Sequence, residues 1–325
     1  MRAGIYLDGR NPEPWAEPWP DFYARQIELV VEAERLGADS VWLSEHHLFD
    51  DGYLPQPLVL AAALAARTER IRLGTAVLLG PLWNPARLAE ELALVDNLSR
   101  GRLMVGLGAG YSRPEFDLYG ADPSTRYGQT DALVRELRRL LGPDGPITPP
   151  SVQRPPELWL GYQGPQGARR AGLLGAPLLS TNPTSLDPYR AALREAGHGD
   201  QAARMAGVVT VVVADDPDQA FERVLPHALH QINTYRAAAA AGTGRTPSPV
   251  TADKLRTARH DHTTVLSPLE VLTPDQTVAW LWTKVQGLPV EEVFCWASVG
   301  GMPHDLVQRH LELWLGEVRP AIGDW

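Results

Sequence analysis

The chain has 325 residues, 44% hydrophobic and 21% charged, enough for one large α/β unit or two average domains. Its formal net charge of −9 argues against nucleic acid or an anionic membrane surface as the main partner. A single cysteine, Cys295, leaves no internal disulfide to form, and no apolar run approaches the ~20 residues of a membrane span. Met1 leads straight into a strand-like segment without a signal-peptide pattern, so the expected compartment is the cytoplasm.

Ala3–Leu7 reads as a first strand. Phe22–Leu36 carries apolar residues at helical spacing (Ile27, Val30, Val31, Leu36) and stops at Gly37. Val41–Leu43 is a second strand, Leu58–Arg67 a helix, Ile71–Leu79 a β-rich third strand, and Arg87–Leu98 a helix closed by Ser99-Arg100-Gly101. Leu103–Leu107 is the fourth strand and Thr125–Leu141 a helix. Glu157–Leu160 is a strand, Gln166–Leu174 a helix ending at Gly175, Pro177–Ser180 a short strand, and Pro188–Ala196 a helix. The uninterrupted run Ala206–Ala214 has the Val-rich composition of a strand buried on both faces. Pro217–Ala241 is helical, and 273–286 is a helix with Thr273 as cap and Pro274 first. Glu292–Ala297 is the last strand and Leu306–Val318 the last helix.

About eight strands alternating with helices predict a single (β/α)8 TIM barrel over residues 1–325, with an open doubly wound sheet as the alternative. Residues 237–272 hold Gly242-Thr243-Gly244 and three prolines. They are expected to form a long insertion or lid between strand seven and the following helix.

The second strand runs directly into Ser44-Glu45-His46-His47. Carboxyl ends of barrel strands are where chemistry takes place, and imidazole titrates near neutrality. A metal site is the first idea to weigh. Neighbours on an extended segment point opposite ways, so Glu45, His46 and His47 do not easily converge on one ion. The triplet His260-Asp261-His262 lies in the least regular stretch, and no metal is assigned. Serine hydrolysis lacks its Gly-x-Ser-x-Gly elbow. Two glycine turns remain. Gly106-Leu107-Gly108-Ala109-Gly110 lacks dinucleotide-binding spacing but permits close approach of a flat ligand or phosphate. Gly161-Tyr162-Gln163-Gly164-Pro165-Gln166-Gly167 opens a helix, where free N–H groups and the helix dipole favour an anion.

Several blocks occur in one order: Ser44-Glu45-His46-His47, Arg72-Leu73-Gly74-Thr75-Ala76-Val77, Asn84-Pro85-Ala86-Arg87-Leu88-Ala89-Glu90-Glu91 and the stretch Leu94–Leu103. Gly106–Gly110, Leu272-Thr273-Pro274 and Gly301-Met302-Pro303-His304 complete them. In these the chain resembles the bacterial luciferase-like monooxygenase family, densely over 1–130, loosely over 155–215, and again over 272–320. The resemblance implies a barrel that binds reduced flavin mononucleotide (FMN), or in one branch a deazaflavin, at the carboxyl ends of its strands. It implies a flavin-dependent monooxygenase that receives reduced FMN from a separate flavin reductase and uses O2 on a small, largely apolar substrate.

Carried onto this sequence, the flavin lies against Thr75, Ala76 and Val77, with a non-proline cis peptide between Ala76 and Val77. The turn Gly108, Ala109, Gly110 lies beside it. The phosphate falls to Gln163, Gly164 and Gly167 with Arg126, and His46 stands by the flavin as an acid/base or substrate-positioning group. Bacterial luciferase has an arginine where Ala109 stands and Glu-Ser where Gln163-Gly164 stand, so two phosphate-binding side chains are replaced here. Glu-His-His in place of the Asp-His of deazaflavin enzymes favours FMN. Trp15, Trp19, Trp83, Tyr111 and Trp296 are candidates for an aromatic substrate pocket. The alternatives are deazaflavin-dependent hydride transfer on the same barrel, and a non-catalytic flavin-binding or partner subunit. A homodimer through the helices after strands two and three is expected by analogy.

Overall fold

A computed structural model describes residues 1–260 and 269–325. The barrel strands are β1 (Arg2–Leu7), β2 (Ser40–Leu43), β3 (Arg72–Thr75), β4 (Leu103–Gly108), β5 (Glu157–Leu160), β6 (Leu178–Leu179), β7 (Met205–Val209) and β8 (Val290–Trp296). Each is parallel to its neighbours, and β8 pairs with both β7 and β1 while β3 pairs with β4, so the ring closes. This is the predicted (β/α)8 TIM barrel. Its helices include α1 (Trp19–Arg35), α2 (Pro57–Arg67), α3 (Pro85–Leu98), α4 (Arg113–Tyr119), α5 (Arg126–Leu141) and α6 (Gly164–Leu173). After α7 (Leu186–Glu195) come α8 (Pro217–Ala240), α9 (Ala252–His260), α10 (Pro274–Val285) and α11 (His304–Leu313). Among the described residues no helix is long and apolar enough to cross a membrane.

The barrel is filled, not hollow. Trp42 of β2 stacks on Phe294 of β8 with centroids 4.9 Å apart and meets Trp159 of β5 edge-on at 6.2 Å. Gly74 makes room for it, since a Cβ there would lie 2.4 Å from Trp42 Cε3. Below these rings, at the amino ends of the strands, Glu292 is 1% exposed and carries four neighbours. It accepts from Ser40 Oγ, from Trp42 Nε1 at 2.7 Å and from Arg2 Nε at 3.0 Å, with Arg72 3.9 Å away. Arg204 pairs with both Glu157 and Glu291, which closes the same end with charge.

His310 of α11 is fully buried. Its Nδ1 accepts from the Val213 N–H at 2.9 Å, so Nε2 carries the proton and donates to Trp296 O at 3.0 Å. Burial pushes its pKa down from 6.5 to about 4, only partly offset by the Trp296 carbonyl. A neutral native imidazole opposes proton uptake that the unfolded chain allows, so stability is complete above about 6.5 and is lost as pH falls toward 4. The shift corresponds to about 3 kcal/mol. Urea unfolding at pH 7 and pH 4.5 is expected to show this loss, and His310→Gln, which titrates nothing, to shrink it. An equal pH dependence in the variant would contradict the assignment.

Three elements depart from expectation. The third strand does not run from Ile71 to Leu79: it stops at Thr75 and resumes as Leu78–Leu79, which pairs with β4. The Val-rich run is likewise divided at Thr210. Met205–Val209 belongs to the barrel, whereas Val211–Val213 pairs with Glu270–Leu272 in a separate two-stranded sheet. Composition reports burial, which both halves have, but not which sheet takes up the hydrogen bonds. The stretch 237–272 contains the end of α8, the helix α9 and this small strand, between α8 and α10. Asp261 and His262 lie outside the described residues.

Candidate active site

The carboxyl ends of β1 to β5 bring most of the predicted residues to one mouth. After β2 the backbone turns through Leu48, at φ 61°, and His46 and His47 both fold inward. His46 Nδ1 lies 2.8 Å from Glu115 Oε1, and the same oxygen accepts the His47 backbone N–H at 2.8 Å. Glu115 is fully buried on α4, and its Oε2 has no hydrogen-bond partner among the described residues. A carboxylate on Nδ1 fixes the proton there and leaves Nε2 of His46 as the free nitrogen. The imidazole is enclosed by Tyr53 at 4.7 Å and Tyr111 at 5.3 Å, both edge-on.

Glu45 and His47 form the rim. Glu45 Oε2 accepts from the Leu79 N–H at 2.6 Å and from Trp83 Nε1 at 3.1 Å, and its other oxygen meets His47 Nε2 at 3.1 Å. Tyr119 donates to His47 Nδ1 at 3.3 Å. With both nitrogens engaged, His47 has no atom left for chemistry.

Ala76 and Val77 are partly exposed at the mouth, and the peptide between them is cis. Ala76 O accepts from Tyr6 OH at 3.2 Å. Thr75 is buried and its hydroxyl is tied to Gly106 O and N, at 2.9 Å each, so its side chain is not free for a ligand. Gly108 and Gly161 abut Val77 so closely that a Cβ would lie 2.4 and 2.5 Å from its methyl carbons. Ala109 is buried, and Gly110, at φ 70°, sets the chain turning toward α4. The turn after β5 leads into α6 with Gln163 at its cap position and Gly164 at φ 70°. A Cβ on Gly164 would meet nothing within 4 Å, so the space above this helix start is open. Gly167 packs on Tyr162. Arg126 opens α5 alongside: it lies 4.8 Å over Tyr127, which meets Tyr162 at 5.5 Å, and its Nε is buried without a partner among the described residues.

Glu115 and a second cluster escaped the reading of the sequence. Ser112-Arg113-Pro114-Glu115 has the Ser-x-x-Glu spacing that marks a helix start, which was the available signal for α4. Its glutamate turns inward to the histidines instead of capping. The second cluster centres on Arg10, whose side chain is fully buried between Asp8 at 3.3 Å and Asp51 at 2.7 Å. It also donates to Thr234 Oγ1 at 2.6 Å and lies between the rings of Tyr53 and Tyr235, at 4.4 and 4.6 Å. Burial pushes the Asp8 carboxyl up to about 6 because Arg10 offsets only part of the lost hydration. Burial raises Asp51 too, but His230 at 2.7 Å and Arg10 outweigh it and hold that carboxyl below its ordinary value. A chain of phenols runs from this cluster to the mouth, Tyr235 to Tyr53 at 2.7 Å and Tyr53 to Tyr6 at 3.3 Å.

Of the five candidate aromatic residues, Tyr111 faces His46, Trp296 meets Tyr6 at 4.5 Å, and Trp83 holds Glu45. Trp15 packs on His227 at 3.9 Å and Trp19 on Tyr23 at 5.9 Å, both partly exposed outside the mouth.

The model of the luciferase-like monooxygenase family matches residues 1–287. The chain belongs to that family. Among curated relatives, 4-hydroxyprotoasukamycin monooxygenase of Streptomyces nodosus subsp. asukaensis is 32% identical over 45% of this chain and 38% of its own length. The oxygenase component of a flavin-dependent trigonelline monooxygenase of Acinetobacter baylyi is 38% identical over 29% of this chain and 26% of its own. The chain thus spans well under half the length of these two relatives. Solved structures cover the luciferase-like barrel almost completely. Monooxygenase RslO1 of Streptomyces bottropensis superposes with a TM-score of 0.79 at 23% identity, over 99% of both chains. An F420-dependent secondary alcohol dehydrogenase gives 0.72 at 18%, and the oxygenating constituent of 3,6-diketocamphane monooxygenase of Pseudomonas putida, in complex with FMN, gives 0.71 at 20%. Each covers 99% of both chains. At these identities the likeness establishes the fold. Flavin-type cofactors of both kinds thus occur among these neighbours.

Proposed function

We propose that the chain is the oxygenase of a two-component flavin-dependent monooxygenase, taking reduced FMN from a separate reductase and oxidising a small, largely apolar substrate with O2. The observation that carries this reading is the buried His46–Glu115 pair, which presents one free imidazole nitrogen to a mouth walled by aromatic rings. The residues present fit the cofactor: the space above the α6 start is open at Gly164, and beside it Arg126 has a buried Nε without a partner among the described residues. Gln163, Gly164 and Gly167 with Arg126 would hold its phosphate by backbone N–H groups and one charge. Ala76, Val77, Gly108, Ala109 and Gly110 would back its ring system. Reduced flavin, when bound, supplies the two electrons with which O2 delivers one oxygen atom to the substrate and the other to water.

The chain's own contribution is position, dryness and a proton. Glu115 holds Nδ1–H of His46, so Nε2 can accept or return a proton at the substrate's reacting oxygen. Tyr53, Tyr111 and Trp296 displace water from the same space. The naming of a relative as an oxygenase component supports a separate reductase for this chain as well. Val59 on α2 and Leu94 and Leu98 on α3 expose apolar side chains on adjacent helices, which supports pairing of two copies there.

Anaerobic calorimetry with reduced FMN and a reduced deazaflavin is the direct test. FMN is expected to bind tighter than millimolar and better than the deazaflavin; failure of both removes the reading, and the reverse order replaces it with hydride transfer. Arg126→Ala is expected to weaken FMN by about 10- to 100-fold, as for a lost hydrogen bond to a charged group. Riboflavin, which has no phosphate, is expected to bind the variant and the parent alike.

A further inference from the structure

Behind the mouth lies a cavity of about 170 Å³. Its walls are Ala228, Ile232, Leu269, Val299 and the rings of Tyr235 and Trp296, with Thr210 and Gln231 as further polar members. Among the described residues, no side chain lining it is charged. Its two rings also meet the aromatic groups of the mouth. Tyr235 lies 6.3 Å from the His46 ring and 6.5 Å from Trp296, which in turn packs on Tyr6 at 4.5 Å.

Gln231 is the unusual member. It is 7% exposed, and its Oε1 is buried with no hydrogen-bond partner among the described residues. Buried polar atoms are nearly always paired, so an amide oxygen left free on a largely apolar wall is one kept for something that is not protein. Because the two ends of a carboxamide differ only in which is N and which is O, the group can turn either a donor or an acceptor to a ligand.

Size and chemistry narrow what fits. Whole small-molecule sites run to roughly 300–1,000 Å³, so this space takes part of a molecule. An apolar cavity of roughly 150 Å³ accommodates a benzene ring. A charged group would lose its hydration with no counter-charge to replace it, so the occupant is neutral. We propose that this cavity is the specificity subsite of the active site. It seats one compact, neutral, apolar group of about benzene size that bears a single hydroxyl or carbonyl, and Gln231 selects for that oxygen. The assignment of the occupant as part of the substrate rests on the monooxygenase reading; the recognition of the group by Gln231 does not.

Calorimetry on the full chain with phenol, toluene and benzoate separates the two. Phenol is expected to bind about tenfold or more tighter than toluene, because toluene leaves the amide unpaired, and benzoate is expected not to bind. Gln231→Leu is expected to abolish the preference for phenol, and Ala228→Phe, which fills the space, to abolish binding of both. Thermal melts and reduced-FMN titration of each variant verify that the barrel is intact. Equal affinity for phenol and toluene in the parent, or an unchanged phenol preference in Gln231→Leu, would overturn the proposal. So would phenol binding that survives Ala228→Phe. If the phenol pattern holds while neither reduced cofactor binds, the subsite stands and the monooxygenase reading falls.

Discussion

His46→Ala is expected to lower the rate of O2-dependent substrate oxidation by about 10²- to 10⁴-fold, the usual contribution of a positioned acid/base. Reduced FMN is expected to bind it within a few-fold of the parent, since the phosphate contacts proposed above lie at α5 and α6. Glu115→Gln is the finer probe. The amide oxygen still accepts from Nδ1 of His46 and from the His47 N–H, so geometry is kept while the negative charge is removed. A positioning role for Glu115 predicts a fall in kcat smaller than that of His46→Ala with KM little changed, because the imidazole is still held but its proton transfer loses the charge behind it. Substrate turnover that is unchanged in His46→Ala removes the role given to this residue, whatever the flavin affinity.

Glu292→Ala is expected to produce the largest loss of stability of any single change at the barrel floor, about 3–5 kcal/mol. Removing one partner of a buried pair is costly because the others remain. Here the Trp42 indole N–H and the Ser40 hydroxyl lose a buried acceptor, while the partly exposed Arg2 guanidinium keeps Glu291. Glu292→Gln keeps one oxygen for Trp42 or Ser40 and is expected to lose less. Urea unfolding followed by far-ultraviolet circular dichroism reads both. A loss below about 1 kcal/mol in the alanine variant would show that the network is idle, as many exposed ion pairs are.

Much of the fold was legible because strand and helix periods alternate cleanly. The strands that hold Trp42, Leu158 and Phe294 are short apolar runs set between segments of helical period, and runs of this kind give the count of about eight. Boundaries blurred where composition is silent about pairing. Val211–Val213 is as apolar as Met205–Val209, and only tertiary context assigns it to Glu270–Leu272. At the site, ordered motifs marked His46, the Ala76–Val77 bond and both glycine turns, since these lie within a few residues of strand ends. Glu115 was not visible in the same way. It stands 69 residues from His46, on a seven-residue helix whose short span gives little periodicity. Arg10 was missed for a different reason: an arginine in a Pro-rich loop reads as a solvated surface residue, and its burial arises from partners on α8 more than 200 residues away.

The Arg10 cluster has a mechanical consequence. One guanidinium joins the loop after β1, the loop after β2 through Asp51 and Tyr53, and α8 through Thr234 and Tyr235. Lifting α8 alone would open the ring stack, break the Thr234 bond and separate Asp51 from His230 in the same movement. The three segments therefore behave as a single cooperative unit, and the mouth of the barrel is either formed or not. The proposed subsite beneath α8 and the His46 imidazole beside Tyr53 thus share one structural state, so occupancy of the one would be tied to assembly of the other.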